Sequence, residues 1–293
     1  MSEREPIEED VPSLEISEVQ EPSAASIEET SPTDDDTSSD GIPIVPSDLS
    51  EYEKIKFIHD YLVIHVDYDY ENLANDTLPE EAFTAQGALQ NHSAVCEGYA
   101  RAVSLLCDQA GIEELLVFGE ADDGTVRQSH AWNQVQIDGQ WYNLDVTWDD
   151  PLVNGEVITD GTNLIYDYFL VPDKALAGTH TPDAGTVTHN CTSSRYLEEN
   201  RRLTIEPYLE EPFFFAEADS DVVETIPQYL SRELFQFQVV YDISSGSAEK
   251  KMDFTMEQVK KAMEPLEIYG QISLDAQSGI ADYLIVTVTI SPQ

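Results

Sequence analysis

Ser129-His-Ala-Trp-Asn-Gln-Val-Gln-Ile-Asp-Gly-Gln-Trp-Tyr-Asn-Leu-Asp-Val146 reads as a β-hairpin, two alternating runs joined by Asp138-Gly139. An Asp-Gly pair supplies the two positive-φ residues that a tight hairpin turn needs. With that pair at the tip, Ile137 faces Gln140, which sets Trp132 opposite Asp145 and His130 opposite Thr147. Side chains return to the same face every second residue, so His130, Trp132 and Asp145 project together. Ala131, Val135, Ile137, Tyr142, Leu144 and Val146 make an apolar stripe on the other face, with Asn133 as its one polar member. Diagonal neighbours in such a pair lie ~7–8 Å apart, a gap that an imidazole and a carboxylate close to a hydrogen bond. The pairing rests on register, because a one-residue bulge would send His130 and Asp145 to opposite faces.

Upstream, Ser93-Ala-Val-Cys-Glu-Gly-Tyr-Ala-Arg-Ala102 opens a helical pattern expected from about Val95 to Ala110, with Gly111 as its stop. Cys96 falls in the first turn, where free N–H groups and the helix dipole stabilise a thiolate. Gly98 is expected to leave room for a substrate backbone, and Val95 and Tyr99 to anchor the turn. Cys, His and Asp on separate elements are what a thiol nucleophile with an oriented base requires. Each residue also has a plainer reading. A free cysteine is usually buried and inert, His130 suits a half-buried strand histidine bonded to backbone, and Asp145 suits a turn acid. Cys107 reads as a small core residue. The three cysteines form no disulfide framework. Zinc is disfavoured by the lack of C-x-x-C or H-x-x-x-H spacing. Asp149-Asp150 lacks a calcium-loop pattern and reads as a solvated turn before Pro151. No metal and no cofactor is expected.

The chain has 293 residues, 41% of them hydrophobic, enough for one large or two smaller domains. It carries 14 Lys+Arg against 58 Asp+Glu, a net charge of −44. Such a surface repels phosphate backbones and anionic lipid, which excludes nucleic acid and headgroup binding as main tasks and favours cationic partners. An acidic proteome would give the same composition without functional meaning. No apolar run approaches the ~20 residues of a membrane span, and no signal peptide is visible at Met1. Residues 1–47 hold 14 acidic residues and one basic one, Arg4, and show no sustained period. They are expected to be a disordered acidic tail or linker. Its Ser/Glu/Pro/Thr character suits a tether, and the expected setting is extracellular or at the cell surface, a cytoplasmic one staying open.

Order is expected from about Ser47. Ser50 and Glu53 form a capping box ahead of Ile55, Ile58, Leu62 and His65 at helical spacing, with His59 and His65 as ordinary helix-face residues. Leu115–Phe118 reads as a short strand, Tyr166–Val171 as a strand-like run within an irregular stretch 151–204, and Thr179-His-Thr-Pro182 as a loop. From 205 to 293 a β-α-β-α-β-β order implies a second, smaller α+β domain without an evident site.

Ala94-Val-Cys-Glu-Gly-Tyr-Ala, His130-Ala-Trp-Asn and Trp141-Tyr-Asn-Leu-Asp-Val-Thr-Trp-Asp-Asp resemble the three signature blocks of the bacterial transglutaminase-like superfamily, and the similarity extends over about residues 48–190. The resemblance implies an α+β, papain-like core over 48–204, with the nucleophile helix packed on an antiparallel sheet. It implies Cys96 as nucleophile, His130 as general base and acid, and Asp145 as orienting carboxylate. Many relatives have a Tyr where this chain has Gln86, which would supply an oxyanion N–H or be a neutral surface change. Trp132 and Asn133, inside a matched block, would shape the site. The implied reaction is acyl transfer from an amide through a Cys96 thioester, on protein or peptide substrates with lysine-bearing acceptors. A cysteine peptidase or amidase of the same fold is the alternative. A non-catalytic surface or adaptor module is the reading from another class.

Overall fold

The computed structural model describes residues 16–17, 41–122, 124–150, 152–153, 156–157, 164–243, 247–280 and 283–292. The acidic stretch before residue 41, apart from 16–17, lies outside them. The described residues from 41 to 207 form one unit, and those from 208 onward, with 16–17, the other.

In the first unit the expected capping box starts helix α1 (Glu51–His65). Glu53 N–H donates to the Ser50 hydroxyl at 3.3 Å and Ser50 N–H donates to the Glu53 carboxylate at 2.8 Å. From Phe57 to Ile64 every residue of α1 is buried, His59 and Asp60 included. His59 is therefore an interior residue and not an ordinary helix-face one. Val45, two residues inside the expected tail, is also buried in this core, its N–H donating to Gln109 at 3.0 Å. Helices α2 (Tyr70–Asn75) and α3 (Ala85–Asn91) lead to α4 (Cys96–Ala110), which ends at Gly111 as the sequence predicts. Just before α4, Ser93 and Ala94 pair in parallel with Asp67 and Tyr68.

Strands β1 (Glu114–Asp122), β2 (Arg127–Ile137), β3 (Gln140–Leu144) and β4 (His180–Pro182) form an antiparallel sheet in the order β3-β2-β1-β4. The register of the β2–β3 hairpin runs from Ile137↔Gln140 to Asn133↔Leu144, as expected, around Asp138 and Gly139 at φ of 50° and 73°. Strand β3 stops at Leu144 instead of continuing to Val146. The Asp145 N–H donates to the Tyr168 carbonyl at 3.1 Å, and its carboxylate takes the N–H groups of Thr147 and Trp148, so the chain turns away from β2. Two short helices, α5 (Asp173–Leu176) and α6 (Leu197–Ile205), complete the unit.

Tyr99, Ala102, Val103 and Leu106 of α4 share one core with Val135, Ile137, Tyr142 and Leu144 of the sheet and with Ile55, Ile58, Tyr61 and Leu62 of α1. Each such aliphatic or aromatic side chain contributes about 1.5–3 kcal/mol on full burial, which fixes the helix on the sheet. The opposite face of β2 is buried too. Trp132 joins Val117, Val171 and Leu176 in a second cluster. Gln134 bonds the His189 backbone in both directions, at 3.1 and 2.7 Å, and Asn143 donates to Asp173 at 3.0 Å. Buried amides need such partners, and the segment 171–191 provides them. The strand-like run Tyr166–Val171 is a bent stretch that bridges the sheet only through Val171 and Asn143. The unit thus has the papain-like arrangement of a helix, here the one that begins at Cys96, on an antiparallel sheet.

The second unit follows the predicted β-α-β-α-β-β order: β5 (Phe213–Ala216), α7 (Asp219–Ser231), β6 (Gln236–Asp242), α8 (Ala248–Met263), β7 (Gly270–Ile280) and β8 (Tyr283–Pro292). The sheet order is β7-β8-β6-β5, with β5 parallel to β6, and residues 16–17 lie along β7. Val222, Ile226, Met252 and Val259 of the helices pack with Phe237, Val239, Val286 and Val288 of the strands. Among the described residues no helix is long and apolar enough to cross a membrane.

Candidate active site

Cys96 is the first residue of α4 and half-buried. The start of α4 is seated by Val95, whose N–H donates to the Ala82 carbonyl at 3.0 Å, and by Tyr99, whose hydroxyl oxygen lies 2.5 Å from both Val66 O and Asp150 Oδ2. Gly98 does not open space for a substrate. A Cβ there would sit 2.5 Å from the Ala82 carbonyl oxygen and 2.7 Å from the Ala94 Cβ. Gly98 is needed for the close approach of α4 to the preceding segment. The parallel pairing of 67–68 with 93–94 brings Tyr68 into the neighbourhood of Cys96. Burial first, then the neighbouring Cys96, push this phenol well above its ordinary range.

His130 and Asp145 meet as the hairpin predicts, though by a different route. Asp145 reaches His130 from the turn after β3 and not as a diagonal strand neighbour. Nε2 of His130 lies 2.6 Å from Asp145 Oδ2, with both side chains no more than 2% exposed. Nδ1 is the ring nitrogen that Asp145 does not take. Burial disfavours a charged ring at His130, but the Asp145 carboxylate and the Cys96 side chain outweigh it and push the group up to about 10. Burial likewise opposes a charged Asp145, yet the His130 and His180 contacts hold it well below the usual carboxylate range.

His180 is the residue that sequence reasoning missed. The sequence places it in a loop, whereas it opens β4, its Nε2 2.9 Å from the same Asp145 Oδ2. The other carboxylate oxygen, Oδ1, accepts from Thr147 N–H at 3.1 Å and Trp148 N–H at 3.3 Å. Four donors therefore converge on one carboxylate. Trp132, Trp148 and Tyr168 enclose the two imidazoles, with ring centroids 4.6 to 5.7 Å from His180. The signal that could have revealed β4 is Gly119. An isolated glycine in a strand marks close backbone approach, and a Cβ at Gly119 would sit 2.3 Å from the Thr181 carbonyl oxygen.

The remaining site residues fall in different places. Trp132 lies against the His130 ring, 6.2 Å away and nearly parallel. Asn133 projects to the helix side, donating to the Ala100 carbonyl at 2.9 Å and to Glu114. It ties α4 to the sheet and does not line a substrate path. Gln86 is exposed on α3, and its amide makes no hydrogen bond to Cys96 among the described residues.

Asp149 and Asp150, expected in a solvated turn, are buried. Asp149 accepts from the Tyr168 N–H at 2.8 Å and lies 3.3 Å from His59 Nε2, while His59 Nδ1 is 2.9 Å from Asp60. Burial pushes both aspartates up to about 7, against the opposing pull of His59 on Asp149 and of the Tyr99 hydroxyl on Asp150. The turn bearing Asp145 is thus held from α1 and from α4 at once.

The ligand atoms of His130, Asp145 and His180 lie within 4.8 Å of one another. Both histidine Nε2 atoms already lie against Asp145 Oδ2, at 2.6 and 2.9 Å, so an ion bound through those nitrogens would displace both contacts.

The family model described as the transglutaminase-like superfamily matches residues 42–146. The chain is 27% identical over 162 residues to the human (Homo sapiens) kyphoscoliosis peptidase, covering 50% of this chain and 24% of that protein. It is 28% identical over 144 residues to the mouse (Mus musculus) protein of the same name, covering 46% of this chain and 21% of that one. It thus spans about a quarter of the length of these curated relatives or less. A solved structure described as a TGase aligns at a TM-score of 0.32 and 18% identity, over 58% of this chain and 36% of that one. Residues 42–146, the segment that matches the model of the transglutaminase-like superfamily, hold Cys96 on α4, His130 on β2 and Asp145 in the turn after β3.

Proposed function

We propose that this chain is a thiol acyl-transfer enzyme acting on amide carbonyls of protein or peptide substrates. Cys96 is the nucleophile, His130 the general base and acid, and Asp145 the carboxylate that orients the imidazole. The observation that carries the reading is the buried 2.6 Å contact between His130 Nε2 and Asp145, in a ring whose proton affinity is also raised by Cys96.

In the first step Cys96 Sγ bonds to the amide carbon and the charge passing to the carbonyl oxygen develops at the start of α4, where the helix dipole favours it. The C–N bond then breaks, the leaving amine takes its proton from the His130 imidazolium, and a thioester remains. In the second step His130 takes a proton from water or from a primary amine as that acceptor bonds to the carbonyl carbon, and Cys96 leaves as thiolate. Water gives hydrolysis and an amine gives a crosslink, from the same acyl-enzyme.

Water as acceptor is supported by the two relatives named as peptidases. An amine acceptor is supported by the net charge of −44, which attracts lysine-bearing partners, although salt at ~0.15 M confines that pull to ~8 Å. An extracellular or cell-surface setting, argued from the Ser/Glu/Pro/Thr-rich stretch ahead of residue 48, belongs to the same proposal.

Iodoacetamide labelling across pH tests the site. Cys96 should react faster than a free thiol below pH ~7, and His130→Ala should abolish the difference. A free-thiol profile that His130→Ala leaves unchanged would return the chain to the adaptor reading. A glutamine-containing protein offered with a fluorescent primary amine, followed by mass, then separates incorporation from backbone cleavage. Cleavage alone would rule out the transferase version.

A further inference from the structure

Asp145 serves two histidines, and the acyl-transfer reading assigns a task only to His130. His180 is buried as deeply, with its side chain 1% exposed. Its Nε2 approaches Asp145 Oδ2 at 2.9 Å, and its Nδ1 lies 2.8 Å from the Thr179 hydroxyl, which in turn donates to the Leu176 carbonyl at 3.2 Å. Trp132, Trp148 and Tyr168 pack against the ring. A phenylalanine or leucine would fill this space as well, so packing alone does not call for an imidazole here.

What the imidazole adds is a second donor on Oδ2. A carboxylate held there by His130 alone would keep a lone pair that draws water and would be freer to rotate about its Cβ–Cγ bond. With two histidines on Oδ2 and two backbone N–H groups on Oδ1, its plane is fixed. We infer that His180 is a positioning residue for the Cys96–His130–Asp145 constellation, locking the Asp145 carboxylate so that the His130 ring keeps its other nitrogen on the thiol. The inference rests on the triad reading above and adds a fourth side chain to it. It also makes the site depend on β4, which carries His180 and is seated on β1 through Gly119.

The test is iodoacetamide alkylation of Cys96 in the full chain, read by mass across pH, for the wild type and for His180→Phe, His180→Gln, His180→Asn and His130→Ala. Losing a hydrogen bond to a charged group should slow alkylation below pH ~7 by about tenfold to a hundredfold in His180→Phe and move the low-pH limb of the profile upward. Glutamine places an N–H near the position of Nε2 and should recover most of the rate. Asparagine, too short to reach Asp145, should not. The Gln/Asn pair carries the comparison even if the Phe variant does not fold. A His180→Phe protein that alkylates at the wild-type rate with an unmoved limb overturns the inference. So do Gln and Asn variants that melt alike and react alike. If His130→Ala slows alkylation while the His180 variants do not, only the role of His180 falls. If His130→Ala also reacts like the wild type, the triad reading itself has failed.

Discussion

Replacing Asp145 by Asn removes a charge and almost nothing else in volume, yet it leaves the four donors around that side chain without enough acceptors. His130 and His180 aim N–H groups at Oδ2, and Thr147 and Trp148 aim theirs at Oδ1. An amide has one acceptor oxygen, so either the imidazoles or the backbone pair must face an NH2 group. Breaking a buried charged pair in this way costs about 3–5 kcal/mol. The loss should also depend on pH. His130 is raised from 6.5 to about 10, so its contribution to stability is fully present below pH 6.5 and disappears as pH rises toward 10. At 1.36 kcal/mol per pH unit the full span amounts to at most about 5 kcal/mol. The Asn variant has lost the carboxylate behind that rise. Its deficit should therefore be largest near pH ~6 and shrink as pH rises through the window over which the wild type loses its advantage. Urea unfolding followed by tryptophan fluorescence reports on this directly, because Trp132 and Trp148 sit beside His130. Wild-type and Asp145→Asn stability curves that run parallel from pH ~6 to ~9.5 would refute the coupling.

Gly119→Ala should push β4 off β1, because its Cβ would meet the Thr181 carbonyl oxygen at 2.3 Å. We expect a loss of about 1–3 kcal/mol in urea unfolding, with a fall in Cys96 alkylation that tracks the displacement of His180. Gly98→Ala should destabilise by a similar amount, since its Cβ would meet the Ala82 carbonyl oxygen at 2.5 Å. Screening small and large amide substrates should show both losing rate together, whereas a gain restricted to small ones would reinstate Gly98 as a substrate-facing position. Asp149 has its carboxyl raised from 3.8 to about 7, so the folded state holds a proton that the unfolded chain releases and stability declines as pH rises through that window. Asp149→Asn should keep the Tyr168 bond and flatten the decline between pH ~4 and ~7. Equal slopes for variant and wild type in calorimetry would contradict the buried, protonated acid.

What the sequence made legible is what is encoded over short distances. The Asp138-Gly139 turn sets the β2–β3 register, the Ser50–Glu53 box starts α1, and Gly111 ends α4. Together these bring His130 to Asp145 and put Cys96 at a helix start. The rest depends on residues far apart in the chain. Periodicity gave β2 one apolar face, and its other face, with Gln134 and Trp132, looks polar and solvated until residues 171–191 cover it. Asp149 and Asp150 read as a surface turn because acids usually are, and their burial is made tolerable by His59 and Tyr99, brought in by α1 and α4, and by the Tyr168 N–H. His180 sits in a three-residue strand, too short for any pattern to register.

The Asp145 turn has one more consequence, for where this domain ends. The segment that carries the family signature stops at Val146. Of the groups that grip Asp145, only His130 lies before that point. Thr147, Trp148, Tyr168 and His180 all come after it. A fragment cut at the end of the signature would keep thiol, imidazole and carboxylate yet leave the carboxylate loose and one face of β2 bare. The smallest piece able to hold the three groups in register extends at least through β4 and the 183–191 segment that closes over Gln134. The boundary of the domain is therefore set by the partners of Asp145 and Gln134, which reach His180 and His189, roughly 35 to 45 residues beyond the last residue that the family model matches.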